Sequence, residues 1–416
     1  MHRISDVRTY CLTDEESTAT VAAPVPSEHA QRQTVDLTPD ILLNETPTPT
    51  PQQAPMWHPQ DFVPGFLSST VPFWRDELLK DYTPDRRSTL LGWLQGVSVH
   101  EFVDPTAHGV FQGHAYNGKD LTAVEIPNHV PTEFETWVDL EIDELVKQGS
   151  LAKWSEVADV STQPRPRMVL PLGVEPSKPR LFWDGRYLNL MCTHMPFAMD
   201  SVGKVAQCSW FGAHQVTLDH KSEFHHVALD AESWQYFGLC WQGVYHVFTV
   251  LCFGWCSSPY IYHTLSSVVG QYLRARDTPV LVWIDDFCLS NFRSTKSGTP
   301  QAQFRVAQAA TYLALSVFYK AGYFMSASKC VLTPTTRLVF LGVVCDTTLR
   351  RFEVPQDKLD KLEQILNGVV ETGSIYFATF EKLAGPERQV ERESHARYNR
   401  AIVWLQVDAY FTLDWR

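Results

Sequence analysis

A pair of adjacent carboxylates between two apolar runs constrains this chain most. Asp285 and Asp286 follow residues 279–284 (PVLVWI) and precede residues 287–290 (FCLS). Two apolar runs around a tight polar turn predict a β-hairpin, with both acids at its tip. A third acid, Asp219, ends another apolar run, residues 215–219 (QVTLD). The pattern therefore predicts strand ends that bring three carboxylates together.

Such a group of carboxylates suits a two-metal site. Two Mg²⁺ about 3.5–4 Å apart are the geometry for in-line phosphoryl displacement. Mg²⁺ prefers oxygen ligands, usually a few carboxylates completed by substrate phosphates and water. We therefore expect Asp219, Asp285 and Asp286 to hold two Mg²⁺, with Mn²⁺ as the alternative ion. The structural alternative is a polar turn between strands, because Asp is common in turns.

Composition limits the class of protein. The 416 residues suggest two to three domains, and a hydrophobic share of 44% is ample for a core. No apolar run is long enough for a membrane span, and the N-terminus lacks the apolar segment of a signal peptide. Nine scattered cysteines suit free thiols in a reducing compartment and give no zinc-ligand spacing. We expect an intracellular protein, cytoplasmic or nuclear.

The net charge of −12 is unevenly distributed. Residues 1–150 contain 9 Lys and Arg against 23 Asp and Glu, whereas residues 151–416 contain 26 against 24. The later part of the chain is thus compatible with a local basic lining for phosphates.

The organisation along the chain is mixed. Residues 1–55 are acidic and rich in Thr and Pro, which predicts a disordered leader, and 56–134 form an N-terminal extension without recognisable chemistry. Helical patterns begin near residue 133 and recur at about 260–276, 301–321, 355–370 and 379–405. The strands between them do not alternate regularly with helices, which favours an α+β fold over a doubly wound sheet.

Six motifs in order resemble those of reverse transcriptases, specifically of retrotransposons. Residues 218–226 (LDHKSEFHH) resemble the first catalytic motif, and 248–259 (FTVLCFGWCSSP) and 283–286 (WIDD) resemble the next two. Residues 178–189 (KPRLFWDGRYLN) resemble the fingers motif. Gly322 with Lys329, and 340–342 (FLG), resemble the fourth motif and the primer-contacting hairpin. Residues 234–250 look most like elements of the DIRS type, related to the Pol proteins of LTR retrotransposons.

This resemblance implies a right-hand polymerase fold. Fingers would comprise residues 135–215 and 225–250, and an antiparallel-sheet palm would comprise 216–224 and 251–348. A truncated, partial thumb or connection would occupy 349–416. The implied activity is RNA-directed DNA polymerisation, the two-metal transfer of dNTPs to a primer 3′-hydroxyl. The implied partners are an RNA template, a DNA or RNA primer and dNTPs; the sequence leaves the oligomeric state open.

The resemblance also implies residue roles. Asp219 and Asp285 would bridge the metals with Asp286 in support, and Lys329 would protonate the leaving pyrophosphate as a general acid. The expected dNTP-binding residues are Lys178 and Arg180 on the triphosphate, Phe224 as a gate against the 2′-hydroxyl, and Phe253 and Gly254 under the templating pair. The expected primer and template contacts are Trp283, Phe340, Leu341 and Gly342.

Several departures from the family pattern keep other functions open. Glu223 stands where the pattern has Gly, Cys252 replaces Pro, and Trp255 replaces Leu. A decayed or co-opted domain that only binds nucleic acid is therefore the main alternative. An RNA-dependent RNA polymerase is disfavoured by Phe224, and an unrelated two-metal phosphohydrolase would leave residues 178–189 and 248–259 unexplained.

Overall fold

A computed structural model describes residues 38–44, 47–175, 179–209, 211–290, 299–372 and 413–414. The helices are α1 Pro39–Leu43, α2 Val71–Phe73, α3 Pro84–Gln95, α4 Glu135–Gln148, α5 Trp154–Val157, α6 Arg186–Asn189, α7 Val205–Cys208, α8 Ser258–Arg274, α9 Pro300–Ala321 and α10 Gln356–Thr372. The strands are β1 His108–Phe111, β2 His114–Asn117, β3 Val124–Glu125, β4 Leu151–Lys153, β5 Met168–Val169, β6 Leu172–Val174, β7 Leu181–Trp183, β8 Gln215–Asp219, β9 Gly238–Trp241, β10 Val244–Phe248, β11 Val280–Trp283, β12 Asp286–Ser290, β13 Val331–Thr335, β14 Arg337–Phe340, β15 Val343–Asp346, β16 Arg351–Glu353 and β17 Leu413–Asp414. The predicted mixture of helices and β-sheets is confirmed.

An antiparallel sheet with the strand order β11-β12-β8-β13 carries the three aspartates. The predicted hairpin is present, since β11 pairs with β12 and Trp283 lies opposite Asp286. β8 pairs with the other edge of β12, which places Asp219 opposite Asp286. This register brings residues far apart in the sequence to one end of the sheet.

Both faces of this sheet are covered. Because side chains alternate along a strand, Val282 and Phe287 point into the main core while Leu281 and Cys288 join a second cluster. That second cluster includes Phe340 of β14. Burial on two faces explains why β11 and β12 are apolar at nearly every position rather than at alternate ones.

Helices α8 and α9 pack on the main-core face. α8 approaches β11 so closely that a Cβ on Gly270 would lie 2.6 Å from Val282 Cγ2. α9 begins at an N-cap, where the Thr299 hydroxyl accepts from the Ala302 N–H across 3.2 Å. It ends at Gly322, whose φ of +93° is the left-handed conformation typical of a helix C-terminus. Both helices match the predicted segments within two residues.

The prediction of disorder for residues 1–55 is wrong for residues 38–44 and 47–55. α1 lies in this segment and Leu42 is 3% exposed, within the main core. Farther along, the Trp57 indole stacks on Tyr319 of α9 at 4.3 Å and donates to its carbonyl across 3.1 Å. A polar segment is expected to be disordered when its few apolar side chains have no core against which to pack. Here α9, from the other half of the chain, supplies that packing surface.

A mixed sheet with the order β3-β5-β9-β10-β4 lies elsewhere in the chain. β3, β5 and β9 pair in parallel, and the other pairs are antiparallel. β5 ends at Val169 and β6 begins at Leu172, so the apolar run over residues 168–172 is divided between two strands. Pro171 has no N–H to continue a ladder, which accounts for the break.

The last described elements are β14 to β17 and α10. β14, β15, β16 and β17 form an antiparallel sheet in that order. The predicted helical segment at about 379–405 lies outside the described residues. Among the helices that are described, none is both long and apolar enough to cross a membrane.

Candidate active site

The turn that carries the paired aspartates is strained. β11 ends at Trp283 and β12 begins at Asp286, so Ile284 and Asp285 form a two-residue turn. Ile284 has a φ of +53°. Two-residue hairpin turns favour positive φ, but this conformation suits Gly and is costly for a β-branched residue. Such strain is concentrated at functional sites, where the surrounding structure holds it in place.

Three carboxylates meet beside this turn. One oxygen each of Asp219, Asp285 and Asp286 lies within 4.8 Å of the others. Asp219 Oδ1 is buried and accepts no hydrogen bond from the described residues. A set of carboxylate donors, one of whose oxygens is buried without a hydrogen bond, fits a hard divalent cation such as Mg²⁺ or Mn²⁺. These residues could therefore hold a metal.

The charges of this group repel one another. Burial raises the pKa of Asp285 to about 7, and the carboxylates of Glu223, Asp286 and Asp219 add to the shift. Burial and Asp219 also raise the pKa of Asp286, while Lys329 opposes them. Without a cation, protonation of Asp285 near neutral pH thus reduces the repulsion at a small cost in free energy.

The Lys329 ammonium is in contact with the cluster of carboxylates. Its Nζ lies 3.2 Å from Asp219 Oδ1 and 3.5 Å from Asp219 Oδ2. The contact at Oδ1 is an ion pair that lacks hydrogen-bond geometry. Partial burial lowers the pKa of Lys329, but Asp219, Glu223 and Asp285 outweigh it and the net shift is upward. The backbone supports this contact, since the Ser326 N–H donates to the Asp219 carbonyl across 2.8 Å.

Glu223 is a fourth carboxylate that sequence reasoning noted only as a departure. It begins a 3₁₀ turn, Glu223–His226, four residues after Asp219. Burial raises its pKa, Lys329 and Arg180 lower it, and Asp219 raises it again. Its signal in the sequence was a charged residue at a position expected to hold Gly.

The expected nucleotide-binding residues form an aromatic cluster next to Glu223. The rings of Phe224 and Phe253 are 4.7 Å apart, and the Arg180 guanidinium lies 5.7 Å from the Phe253 centroid. Gly254 has a φ of +109°, and a Cβ there would lie 1.7 Å from the Trp183 carbonyl oxygen. The loop that follows β10 therefore requires Gly at this position. Lys178 lies outside the described residues.

The expected primer-contacting residues occupy two separate turns. Trp283 is half-buried beside the aspartates on the hairpin. Phe340 ends β14 and is 3% exposed, in the second core cluster with Leu281 and Cys288. Leu341 and Gly342 form the following turn, both with positive φ. This turn is half-buried, and Lys358 Nζ donates to the Gly342 carbonyl across 2.7 Å.

A buried aromatic cluster supports the site from behind, and sequence reasoning missed it. His220 is fully buried; its ring stacks on Tyr323 at 4.3 Å and its Nδ1 lies 2.6 Å from the Tyr262 hydroxyl. The backbone N–H of His220 donates to the backbone carbonyl of Asp285 across 3.3 Å. Burial holds the pKa of His220 well below its usual range, so the ring stays neutral. Adjacency to Asp219 was its sole signal in the sequence.

Comparison with known proteins is informative at the level of structure. No protein-family model matches this chain, and no curated protein does. A foamy viral protease-reverse transcriptase dRH in complex with double-stranded DNA is similar, with a TM-score of 0.53 and 16% identity. That match covers 86% of this chain and 62% of the viral chain. A second foamy viral protease-reverse transcriptase, also with double-stranded DNA, has a TM-score of 0.48 and 18% identity over 79% of this chain and 61% of its own. Since identity is this low, the likeness concerns the fold, and this chain has a reverse-transcriptase-like fold.

Proposed function

We propose that this chain is an RNA-directed DNA polymerase of a retrotransposon, which adds dNTPs to a primer 3′-hydroxyl on an RNA template. The observation that carries the proposal is the meeting of Asp219, Asp285 and Asp286 within 4.8 Å on a reverse-transcriptase-like fold. In this proposal residues 135–215 and 225–250 are fingers, 216–224 and 251–348 are the palm, and 349–416 are a partial thumb.

The aspartates would position the reacting groups. Asp219 and Asp285 would hold two Mg²⁺, with Asp286 in support. Bound metals of this kind activate a hydroxyl nucleophile and neutralise the charge on a triphosphate and its leaving group. Asp219 Oδ1 supports this assignment, because it is buried and accepts no hydrogen bond from the described residues. The raised pKa of Asp285 supports it too, because a cation would restore the ionised carboxylate.

Lys329 would serve as the acid for the departing pyrophosphate. It remains protonated at neutral pH, since the surrounding carboxylates raise its pKa. Its ammonium is bound to Asp219, so the acid role requires Lys329 to leave that carboxylate when substrate arrives. A flexible, 65% exposed side chain permits this movement.

The aromatic cluster would select the sugar. Phe224 is 5% exposed and braced by Phe253, so its ring has little freedom to yield to a 2′-hydroxyl. Arg180, with Lys178, would clamp the triphosphate, for which the guanidinium is suited. Gly254 would allow the backbone to approach the templating pair. Trp283 and the turn after Phe340 would contact the primer.

Nucleic-acid binding without synthesis is the second candidate. Glu223 is the observation that favours it, because a fourth carboxylate competes with substrate phosphates for Lys329 and Arg180. Such a domain would retain the fold and the interface and would lack turnover.

Primer extension distinguishes these functions. Wild-type protein and Asp285→Asn would be incubated with poly(rA)/oligo(dT), dTTP and Mg²⁺, and binding of the same duplex measured by fluorescence anisotropy. Polymerase function predicts extension by wild type, a loss of about 100-fold or more in Asp285→Asn, and little change in Asp81→Asn, a matched exposed aspartate. Binding of the duplex without extension by folded wild type would establish the second candidate instead.

A further inference from the structure

His226 is a fully buried histidine to which the proposed mechanism gives no role. Both of its ring nitrogens have backbone partners: Nδ1 lies 2.9 Å from the Glu223 carbonyl oxygen, and the Phe324 N–H donates to Nε2 across 3.0 Å. A carbonyl can only accept a hydrogen bond and a backbone N–H can only donate one, so Nδ1 carries the proton and Nε2 accepts. Burial lowers the pKa of His226 to about 3, which keeps the ring in this neutral form.

The hydrogen bond at Nδ1 holds the peptide group that leads into Phe224. The Glu223 carbonyl and the Phe224 nitrogen belong to one rigid plane, because the peptide bond is planar. The orientation of this plane helps to set the direction in which the Phe224 side chain leaves the backbone. The Phe224 ring then lies 4.7 Å from the Phe253 ring and 5.8 Å from the Tyr262 ring. His226 thus acts on the Phe224 ring through the backbone.

The hydrogen bond at Nε2 ties this peptide to the buried segment after α9. Phe324 is 1% exposed, and its carbonyl also accepts from the Lys221 N–H across 2.8 Å. One core residue therefore holds the loop that follows β8 on both sides of Phe224. The loop needs such support, since Ser222 has a φ of +51°, a conformation that is uncommon for a residue other than Gly.

Other contacts hold the aspartates. The Ser326 N–H donates to the Asp219 carbonyl across 2.8 Å, and the backbone N–H of His220 donates to the Asp285 carbonyl across 3.3 Å. A substitution at His226 removes neither hydrogen bond. We therefore expect its effect to fall on recognition of the sugar rather than on the group of carboxylates.

We propose that His226 is a positioning residue for sugar selection: its Nδ1–H fixes the Glu223–Phe224 peptide and thereby holds the Phe224 ring against the 2′-hydroxyl of an incoming ribonucleotide. This inference rests on the proposed polymerase function and deepens it. Without the Nδ1–H donor, the peptide can rotate and the ring can withdraw, so a ribonucleotide is accepted more readily.

Two variants separate the roles of the ring nitrogens. The amide nitrogen of Asn can take the place of Nδ1 and donate to the Glu223 carbonyl. The amide oxygen of Gln can take the place of Nε2 and accept from Phe324, but the Glu223 carbonyl then lacks its donor. We expect His226→Gln to raise the ratio of kcat/KM for UTP to that for dTTP on poly(rA)/oligo(dT) about fivefold, the effect of one lost hydrogen bond. His226→Asn should keep the wild-type ratio.

His246→Gln is the matched control. His246 is 5% exposed, and its Nδ1 lies 3.2 Å from the Val244 carbonyl on β10. The substitution therefore removes a similar hydrogen bond from a buried histidine in another sheet. We expect His246→Gln to keep the wild-type ratio of UTP to dTTP incorporation.

The outcomes distinguish this inference from the function on which it rests. A folded wild-type protein that incorporates no dTTP would overturn both. Extension by wild type with an unchanged ratio in folded His226→Gln would overturn the inference alone. An equal rise in His226→Asn, or in His246→Gln, would do the same, because the effect would then not come from the Nδ1–H donor.

NMR of the histidine ring nitrogens tests the assignment on wild-type protein, even if a variant fails to fold. In protein labelled with ¹⁵N in its histidine rings, we expect a neutral His226 ring with its proton on Nδ1 near neutral pH. A proton on Nε2 instead would leave the Glu223 carbonyl without this donor and would overturn the inference.

Discussion

At the scale of residues, the site concentrates negative charge that the protein itself balances only in part. Burial and mutual repulsion raise the pKa of Asp285 to about 7, and those of Asp286 and Glu223 also rise. A bound divalent cation would favour the ionised forms. The repulsion among these carboxylates thus lowers the stability of the metal-free protein, and a bound cation could offset it.

Replacing Asp285 should therefore stabilise the metal-free protein. Its pKa rises from the usual 3.8 to about 7, so the folded state holds the proton more tightly than the unfolded state. The stability that this tighter proton binding contributes is fully present below about pH 4 and is lost as the pH rises through 7. In EDTA, the free energy of unfolding of Asp285→Asn should be larger than that of wild type by at least about 1 kcal/mol at pH 8, and by less at pH 5. Urea unfolding at both pH values measures this difference. A wild-type protein more stable than Asp285→Asn at pH 8 would contradict the prediction.

Phe224 permits a test of sugar selection. In the proposed function the Phe224 ring would stand against the 2′-hydroxyl, so Phe224→Val should raise the incorporation of rNTP relative to dNTP about tenfold or more. Single-nucleotide extension with dTTP and UTP on poly(rA) measures the ratio. Phe237→Leu, at a fully buried phenylalanine, is the control for general loosening. Unchanged selectivity in Phe224→Val would refute the gate role.

The sequence predicts some of these residues and not others, for a physical reason. Asp285 and Asp286 are adjacent and flanked by apolar strands, which is a local signal that any reader of the chain can see. The cluster of His220, Tyr262 and Tyr323 has no such signal, because its contacts join three separate elements. Only the packed fold reveals that His220, the residue after Asp219, is buried and neutral.

At the scale of elements, the N-terminal segment supports the loop that follows β8. The Gly65 N–H donates to the His225 carbonyl across 2.8 Å, and the Phe62 ring lies 5.2 Å from the His226 ring, edge to face. Helices α8 and α9 were predictable from their apolar periodicity and end signals. The docking of residues 38–44 and 47–65 was not predictable, since it depends on surface that α9 provides.

Trp57 measures how much this docking contributes. Trp57→Ala loses the stacking on Tyr319 and the indole hydrogen bond, so the free energy of unfolding should fall by about 2–3 kcal/mol. Val63→Ala, at a 49% exposed position in the same segment, should change it by less than about 0.5 kcal/mol. Denaturant unfolding gives both values. Equal stability of the two variants would show that the segment is not part of the folded core.

At the scale of the whole molecule, one buried cluster runs from Leu42 to Met325 and includes side chains of β8, β11 and β12. The strands that carry the aspartates are thus anchored in a core to which the N-terminal segment and α9 also contribute. Sequence motifs predicted that Asp219 and the paired aspartates would come together. The pairing of β8 with β12 supplies the geometry.

The most direct test of the central claim is whether Asp219 and Asp285 act as a single catalytic unit. Extension of oligo(dT) on poly(rA) would be measured for Asp219→Asn, Asp285→Asn and the double variant, with duplex binding measured in the same samples. The account predicts that each single variant loses about 100-fold or more, that the double variant is no slower than the worse single one, and that binding persists. Near wild-type extension by either single variant, or losses that multiply in the double variant, would contradict it.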